Sequence, residues 1–286
     1  NIFREHKYYK LEDKIDESED SSDKKNFYQW SKLINSKIKE SFKEHSLSDV
    51  ETGMHISGGA DSAILGNISQ FFNKPISAFT FDFELQEFGE SRQAKLVAER
   101  FKIKHYIHKV INQDLSDKIE KVLQTEYEPF SSLRILAQHE LYEFSKKKGT
   151  KVIFDGSGGD EISAGYTYQV FPWLMDLSND LKIKSFKKRY SKIIKNLRKD
   201  PGSGEEKIFG SFLNTFAPGN TTPDGSIYNK VGLVNREFLR ENQSTDNEIQ
   251  KPFKSFLRNS QYSDLYHMKL PRCLKYIDRA SMRNSI

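Results

Sequence analysis

The chain has 286 residues, enough to bury a sizeable core in one large domain or two smaller ones. Charged residues make up 30% of it, its mean hydropathy is −0.71, and no apolar run approaches the length of a membrane span. A net charge of +5 does not indicate nucleic-acid binding unless the charge is clustered. One cysteine excludes an internal disulfide and the start shows no secretory signal pattern, so we expect a cytoplasmic protein.

The first 26 residues are polar, with mixed charge between Glu12 and Lys24, and are predicted to form a linker. Apolar residues then recur at helical spacing over residues 27–42, which predicts an amphipathic helix leading into the first core strand.

The next stretch predicts a strand, a glycine-rich turn and a helix, over Thr52–Ile56, residues 57–59 and Ala60–Phe72. This order is a phosphate-binding arrangement, because free N–H groups at a helix start point at an anion and the helix dipole favours negative charge. Glycines are expected to allow close backbone approach and conformations that a Cβ obstructs. The expected anion-binding residues of this turn are Ser57, Gly58, Gly59 and Ser62.

A carboxylate, Asp61, lies within this anion-binding turn. Mg²⁺ resolves that conflict, since it is commonly held by one or two carboxylates together with phosphate oxygens. The turn therefore predicts a magnesium nucleotide rather than a bare anion.

Strands and helices alternate after this turn, with strands expected over 76–83, 105–110 and 151–154 and helices over 91–101 and 133–147. The alternation predicts an α/β fold with a doubly wound parallel sheet. A second glycine-rich turn, Asp155–Glu161, follows the last strand. Ligands bind beyond the carboxyl ends of such strands, so Asp61 and Asp160 are expected to hold Mg²⁺ between the two turns.

Helical patterns dominate after Tyr168, and a helix over residues 182–199 carries many lysines and arginines. A solvated helix face explains that charge more simply than contact with RNA or another acidic partner. The domain prediction is a linker over 1–26, an α/β core over 27–170 and a mostly helical part over 171–286.

Three motifs in order carry a family resemblance. Ser-Gly-Gly-x-Asp-Ser at 57–62 resembles the pyrophosphate loop of ATP pyrophosphatases. Residues 155–161 with Ala164-Gly165-Tyr166 resemble the second signature of the asparagine synthetase family, and residues 270–286 resemble its third. The resemblance runs from about residue 34 to the last residue and implies the adenine-nucleotide α-hydrolase type of fold.

This resemblance implies an enzyme that uses ATP to adenylate a carboxylate, classically aspartate, and lets ammonia from glutamine displace AMP. It implies that Ser57, Gly58, Gly59 and Ser62 hold pyrophosphate and that Asp61 and Asp160 bind Mg²⁺. The backbone at His55, Phe81, Asp155 and Gly156 is implied to line the adenosine site.

The sequence departs from the family pattern in three ways. Ser157 stands where asparagine synthetases usually carry a glutamate that handles a proton of the incoming ammonia, so another group does this or the acceptor differs. The glutaminase domain with its nucleophilic cysteine is absent, and Cys273 is expected to be a packed apolar residue. A later Glu-x-Arg-x-Pro stretch and lysine are also absent, so this stretch is expected to be catalytically incomplete.

Four readings follow from these residues. The first is an amide-forming ligase supplied by a separate or missing glutaminase domain. The second is a related enzyme of the same family that amidates a sugar acid or closes a lactam ring. A tRNA-modifying ATP pyrophosphatase is ranked lower, because it should lack the second and third motifs. The fourth is a non-catalytic nucleotide-binding module.

Overall fold

The computed structural model describes residues 4, 6–15, 26–71, 76–83, 90–111, 113–130, 132–179, 236–241 and 251–286. The predicted basic helix over 182–199 lies outside these ranges, as does most of the predicted linker. Two compact units are present. The sheet unit comprises Ser22–Ser157 with Arg272–Ile286, and the helical unit comprises Asn1–Ser21 with Gly158–Pro271.

The sheet unit contains four parallel strands in the order β3-β2-β1-β4. Their bounds are Thr52–His55 for β1, Ser77–Phe83 for β2, Lys104–Val110 for β3 and Val152–Phe154 for β4. All four were predicted within one or two residues, and the parallel order confirms the predicted fold class. β1 lies between β2 and β4, so the two glycine-rich turns follow neighbouring strands.

Five helices of the described chain alternate with these strands. They are α1 (Phe27–His45), α2 (Ala60–Ile68), α3 (Ser91–Arg100), α4 (Leu115–Glu126) and α5 (Leu133–Lys147). A capping box on Asn26 starts α1, and Ser132 accepts a hydrogen bond at the start of α5. α2 ends at Ile68 and is followed by a short 3₁₀ turn, Ser69–Phe71. The α-helix is therefore shorter than predicted, since the prediction extended it to Phe72.

Helices cover both faces of the sheet. On one face Met54 and Ala78, which are register partners, form a buried cluster with Leu65 of α2 and with Ala94 and Ala98 of α3. Phe42 of α1 packs against this cluster, although none of the α1 residues is fully buried.

The opposite face is aromatic. Phe79 stacks on Tyr106 of β3, with ring centroids 5.4 Å apart, and meets Phe144 of α5 edge-on at 6.2 Å. Gly53 of β1 leaves room for the Phe79 ring, because a Cβ there would lie 2.8 Å from it. Residues of one strand thus alternate between helix layers, as a doubly wound sheet requires.

The described part of the helical unit contains α6 (Gly159–Ser163), α7 (Val170–Asn179), α8 (Arg236–Glu241) and α9 (Phe256–Tyr266). The last helix, α10 (Lys269–Arg283), begins in this unit and ends in the sheet unit. Among the residues described after 168, helix predominates, as predicted. None of the described helices is long and apolar enough to cross a membrane.

A buried carboxylate joins two segments of the helical unit. Asp264 of α9 accepts hydrogen bonds from Tyr168 Oη at 2.8 Å and Gln169 Nε2 at 2.9 Å. Burial raises the pKa of Asp264 to about 6, because removal from water penalises its charged form more than these donors stabilise it.

Candidate functional site

The turn after β1 is closed by two serine hydroxyls. The backbone N–H of Ser57 donates to Ser62 Oγ at 2.7 Å, and the two Oγ atoms lie 2.9 Å apart. The N–H of Gly59 donates to Ser57 Oγ at 3.2 Å. The turn is therefore fixed against the first turn of α2, with hydroxyl and amide donors gathered at the helix N-terminus.

The two glycines of this turn have different roles. A Cβ on Gly58 would collide with Gln93 of α3, whose Cα would lie 2.9 Å away. Gly59 has ordinary extended backbone (φ −73°), and a Cβ there would meet only Ser57 Oγ at 3.4 Å. Neither glycine has a positive φ, so neither adopts the left-handed conformation that favours glycine, but a Cβ is obstructed at Gly58, as expected. Close packing of α3 explains Gly58.

The end of β1 is held by a hydrogen-bond chain from the neighbouring strands. Ile56 N–H donates to the Phe79 carbonyl at 3.0 Å, and Thr80 Oγ1 donates to the Ile56 carbonyl at 2.6 Å. Thr80 in turn accepts from His105 Nε2 at 2.9 Å. Burial, and to a lesser degree Lys95, lowers the pKa of His105, so the neutral ring is favoured.

The second turn lies beside the first within the sheet unit. β4 pairs with β1, and a Cβ on Gly156 would lie 3.1 Å from the Cβ of Asp61. Gly156 thus allows Asp61 to pack against the backbone that follows β4. Asp61 and Gly156 are brought together at the carboxyl edge of the sheet, where both were expected.

Ser157 is exposed and bound to the nearest carboxylate in its own turn. Its backbone N–H donates to Asp155 Oδ1 at 2.8 Å, and its hydroxyl donates to the same oxygen. This local turn places the Asp155 carboxylate beside the serine hydroxyl.

His55 forms the buried floor between β1 and α5. Its Nε2 lies 3.3 Å from Ser145 Oγ. Because the Ser145 hydroxyl donates its proton to the Leu141 carbonyl, Ser145 Oγ is the acceptor and His55 Nε2 is the donor. The Tyr142 ring packs edge-on at 4.6 Å. Burial lowers the pKa of His55 to about 4, against the opposing effect of Asp155. The ring is therefore neutral near pH 7 and has a structural environment.

Phe81, expected at the adenosine site, lies on β2 in register with His108 of β3. Its ring meets Phe83 edge-on, with centroids 5.4 Å apart. It is two residues further along β2 than Phe79, the register partner of His55.

Asp160 belongs to the helical unit and is packed on a glycine there. A Cβ on Gly165 would overlap the Asp160 carboxylate, with Cγ at 2.8 Å, and Gly165 N–H donates to the Asp160 carbonyl at 2.9 Å. The adjacent Glu161 is buried and accepts from Tyr166 Oη at 2.6 Å. Glu161 is therefore engaged inside the unit.

Three residues that shape these turns were not predicted from the sequence: Gln93 against Gly58, Thr80 on the Ile56 carbonyl, and Gly165 under Asp160. Thr80 lies three residues before the end of β2, and a hydroxyl at that position of the sequence does not by itself indicate a contact. Gly165 is part of the Ala164-Gly165-Tyr166 motif, but its contact with the Asp160 side chain is visible only in the packing of the structure.

Among the described residues, no group of three or more His, Cys, Asp or Glu side chains could hold a metal ion by itself. Mg²⁺ does not need such a cage, because it is often held by one or two carboxylates with substrate phosphates and water. Oxygen ligands such as Asp61 and Asp160 fit that chemistry.

A parallel α/β sheet whose central strand leads through a serine- and glycine-rich turn into a helix N-terminus is the architecture of a phosphate- or nucleotide-binding protein. The asparagine synthase family model matches residues 33–286. The chain belongs to this family.

Curated relatives agree with the match. The chain is 28% identical over 163 residues to putative asparagine synthetase [glutamine-hydrolyzing] 2 of Methanocaldococcus jannaschii, covering 56% of this chain and 32% of the relative. It is 29% identical over 136 residues to asparagine synthetase [glutamine-hydrolyzing] 1 of Bacillus subtilis, covering 47% and 21%. The matched part thus spans a third or less of these relatives.

Solved structures show a weaker likeness. An NH3-dependent NAD synthetase from Campylobacter jejuni has a TM-score of 0.31 and 15% identity, covering 42% of this chain and 54% of that chain. This similarity is too low to indicate function.

Proposed function

We propose that the chain is the nucleotide-binding part of an ATP-dependent amide-forming ligase that adenylates a carboxylate and releases pyrophosphate. The observation that carries the proposal is the contact between Asp61 and Gly156, which places the serine-glycine turn and the turn after β4 at one edge of the sheet. Family membership supports the same chemistry, since the relatives are named as glutamine-hydrolysing asparagine synthetases.

In this proposal the turn after β1 binds the pyrophosphate portion of ATP. Backbone amides at the start of α2 and the hydroxyls of Ser57 and Ser62 donate to phosphate oxygens, exchanging their mutual hydrogen bonds for bonds to the ligand. Gly58 and Gly59 keep side chains out of the phosphate path. The adenosine site is proposed along the backbone of His55, Phe81, Asp155 and Gly156.

Asp61 and Asp160 are proposed to hold Mg²⁺ together with phosphate oxygens. When bound, the ion neutralises charge that develops on the leaving pyrophosphate. The protein's own part is to keep the two carboxylates in place through Gly156 and Gly165. The rest of catalysis is positioning and exclusion of water, because an acyl-adenylate is reactive and must be protected from hydrolysis.

The acceptor step is proposed to use Asp155 where a glutamate at position 157 is usual. Asp155 accepts hydrogen bonds from both the backbone N–H and the hydroxyl of Ser157. Its carboxylate therefore supplies a basic group next to Ser157, whose own side chain has none. Ammonia, relayed from glutamine by a glutaminase domain, is the proposed nucleophile, and aspartate or a related acid is the proposed substrate. Sugar-acid amidation and lactam formation share the same nucleotide chemistry.

The test is product analysis with the full-length protein. Incubation with ATP, Mg²⁺, ammonia and a panel of carboxylic acids should give AMP and pyrophosphate only when the correct acid is present. ADP as the product would contradict the adenylation chemistry. Absence of turnover with every acid would favour a nucleotide-binding module instead.

Matched variants test the roles of individual carboxylates. Asp61→Asn or Asp160→Asn should reduce Mg²⁺-dependent turnover at least 100-fold by an order-of-magnitude estimate for lost charge stabilisation. Asp117→Asn, an exposed aspartate on α4, should leave turnover unchanged. Asp155→Asn should slow amide formation more than pyrophosphate release. Full activity of the Asp61 or Asp160 variant would refute the proposed metal ligands.

A further inference from the structure

A cavity lies in the sheet unit, and none of the residues that line it belongs to the phosphate-binding turn. Its volume is about 320 Å³, and it is lined by residues of β3, α4, α5 and the end of α10. β3 is the edge strand of the described sheet, two strands from β1. A volume of this size is at the lower end of the range for small-molecule sites, roughly 300–1,000 Å³.

The lining is strongly positive, with five lysine or arginine side chains against two glutamates. Both glutamates are already paired. Glu140 lies 2.8 Å from Lys118 Nζ and accepts from His108 Nε2 at 2.9 Å. Glu143 accepts from Lys147 Nζ at 2.7 Å. Lys121 and Arg283 also act on Glu143, since their charges help to lower the pKa of that carboxyl.

Two lysines of the lining are not held in a direct ion pair with a described carboxylate, although Lys121 lies close enough to Glu143 to help lower the pKa of that carboxyl. Lys109 of β3 and Lys121 of α4 form no ion pair within the described part of the chain, and both side chains are exposed. Arg283 is held differently, through hydrogen bonds to the Lys121 carbonyl and Thr125 Oγ1 at 2.7 and 2.8 Å. The lining thus carries three more cationic side chains than carboxylates, five against two.

A buried histidine in the lining also has one unused ring nitrogen. His139 is 5% exposed, and its Nε2 donates to Glu126 Oε1 at 2.8 Å. Its Nδ1 is buried and has no hydrogen-bond partner among the described residues. Buried polar atoms are nearly always paired, so an orphaned one at a cavity wall indicates a missing partner.

The remaining wall is apolar. Val122, Leu136 and Phe144 line it, and Val122 and Leu136 belong to a buried cluster between α4 and α5. A ligand of this cavity therefore needs an apolar body as well as a charged group.

We propose that this cavity binds a small phosphate monoester that carries a ring. A phosphate monoester has a charge of about −1.5 to −2 near pH 7, which balances the excess of cationic side chains in the lining better than a single carboxylate does. Lys109 and Lys121 contact the phosphate, and the ring packs on Phe144 and Leu136. His139 Nδ1 accepts a hydrogen bond from a polar group of the ligand. The site is separate from the proposed ATP site.

His139 connects the cavity to an ion-pair cluster on α10. Glu126, which is fully buried, accepts from His139 and also from Arg279 Nη1 at 3.1 Å. Arg279 donates to the Glu126 carbonyl as well. A ligand bound at His139 Nδ1 would therefore lie next to the hydrogen bonds by which Glu126 holds Arg279 of α10.

The experiment is a titration of the full chain with phenyl phosphate, followed by calorimetry or ligand-observed NMR. Phenol and inorganic phosphate serve as separate arms, each supplying one half of the probe. Saturable binding of phenyl phosphate at least tenfold tighter than either half, and unchanged by saturating ATP with Mg²⁺, is the expected result.

Charge-reversal variants locate the site. Lys121→Glu should weaken phenyl phosphate binding at least tenfold, and Lys109→Glu should do the same. Lys146→Glu, at an exposed lysine of α5 outside the cavity, makes the same charge change and should leave binding within twofold. Circular dichroism checks that each variant is folded.

Three outcomes would overturn the proposal. They are no saturable binding of phenyl phosphate, displacement of the probe by ATP with Mg²⁺, and equal weakening by Lys121→Glu and Lys146→Glu. None of these outcomes depends on turnover, so failure here leaves the proposed ligase activity to its own test.

Discussion

The buried carboxylate of Glu126 offers a sharp test of what holds the sheet unit together. Glu126→Gln keeps the side-chain volume and one acceptor but removes the negative charge that faces His139 Nε2 at 2.8 Å and Arg279 Nη1 at 3.1 Å. Hydrogen bonds to charged groups contribute about 1.5–3 kcal/mol, against about 0.5–1.5 for neutral ones. With two contacts affected, the free energy of unfolding should fall by about 2–3 kcal/mol. Glu126→Ala should cost about 3–5 kcal/mol, because it leaves partners of a buried pair uncompensated.

Urea denaturation at pH 7.5 measures this difference. The midpoint should shift to lower urea while the m-value stays constant, since the surface exposed on unfolding does not change. Glu143→Gln is the matched control on a neighbouring helix. It removes a solvent-exposed ion pair to Lys147, with side chains 56% and 68% exposed, and should change stability by less than about 0.5 kcal/mol.

A Glu126→Gln variant as stable as the wild type would refute the reasoning. It would mean that desolvation of the carboxylate already cancels its attraction to both partners, as buried ion pairs sometimes allow. A double-mutant cycle with Arg279→Gln separates the two contacts, because residues in one network show coupling of about 0.5–3 kcal/mol.

The remaining predictions concern the turns and two buried titrating groups. Gly58→Ala should lower stability by about 1–3 kcal/mol and abolish nucleotide binding, because Gln93 must move, while Gly59→Ala should retain both in denaturation and ATP titration. Equal effects would contradict the packing argument. The pKa of His55 is about 4 in the folded protein, against 6.5 for an unperturbed histidine, so the free energy of unfolding should fall by up to about 3 kcal/mol as pH falls from 6.5 to 4. His55→Gln should flatten that part of the curve of stability against pH. Asp264, with a folded pKa of about 6 against 3.8, acts in the opposite direction: stability should be lost as pH rises from 4 to 6, and Asp264→Asn should unfold at higher urea than the wild type at pH 7.5. An unchanged pH dependence in the His55 variant, or an unchanged urea midpoint in the Asp264 variant, would refute the burial argument for that group.

The strands were predictable because their sequence signal is local. β1 and β2 are short segments between turn residues that contain a single acidic residue, Asp82, and three consecutive buried residues each, as expected for strands inside a covered sheet. α5 was predicted with its observed bounds, since Ser132 caps its start and Gly149, with φ +88°, follows its end.

α4 was not predicted, although its sequence carries a local helical signal. Asp114, a residue type preferred at N-caps, precedes the helix, but its φ is +56° and its side chain makes no capping hydrogen bond. The helix ends at Tyr127, again with a positive φ and without a glycine. Leu115, Ile119 and Val122 recur at helical spacing and pack in one cluster with Ile135 and Leu136 of α5, a pattern that the prediction missed.

The composition of the candidate site was predictable, but its packing was not. Motifs identified Gly58, Asp61 and Ser157 from residue type and spacing. The partner of Gly58 is Gln93, on a helix that follows the next strand, and the partner of Asp61 is Gly156, about a hundred residues away. Such contacts depend on strand order, which the chain specifies only through the complete sheet.

The glycines beside the two candidate metal ligands have a common physical explanation. Gly156 lies against the Cβ of Asp61 within the sheet unit, and Gly165 lies under the carboxylate of Asp160 within the helical unit. In each case a side chain on the glycine would displace the aspartate, although neither glycine has a positive φ. These glycines are therefore required by what packs on them, not by their backbone conformation. Each glycine thus fixes the position of one aspartate within its own unit.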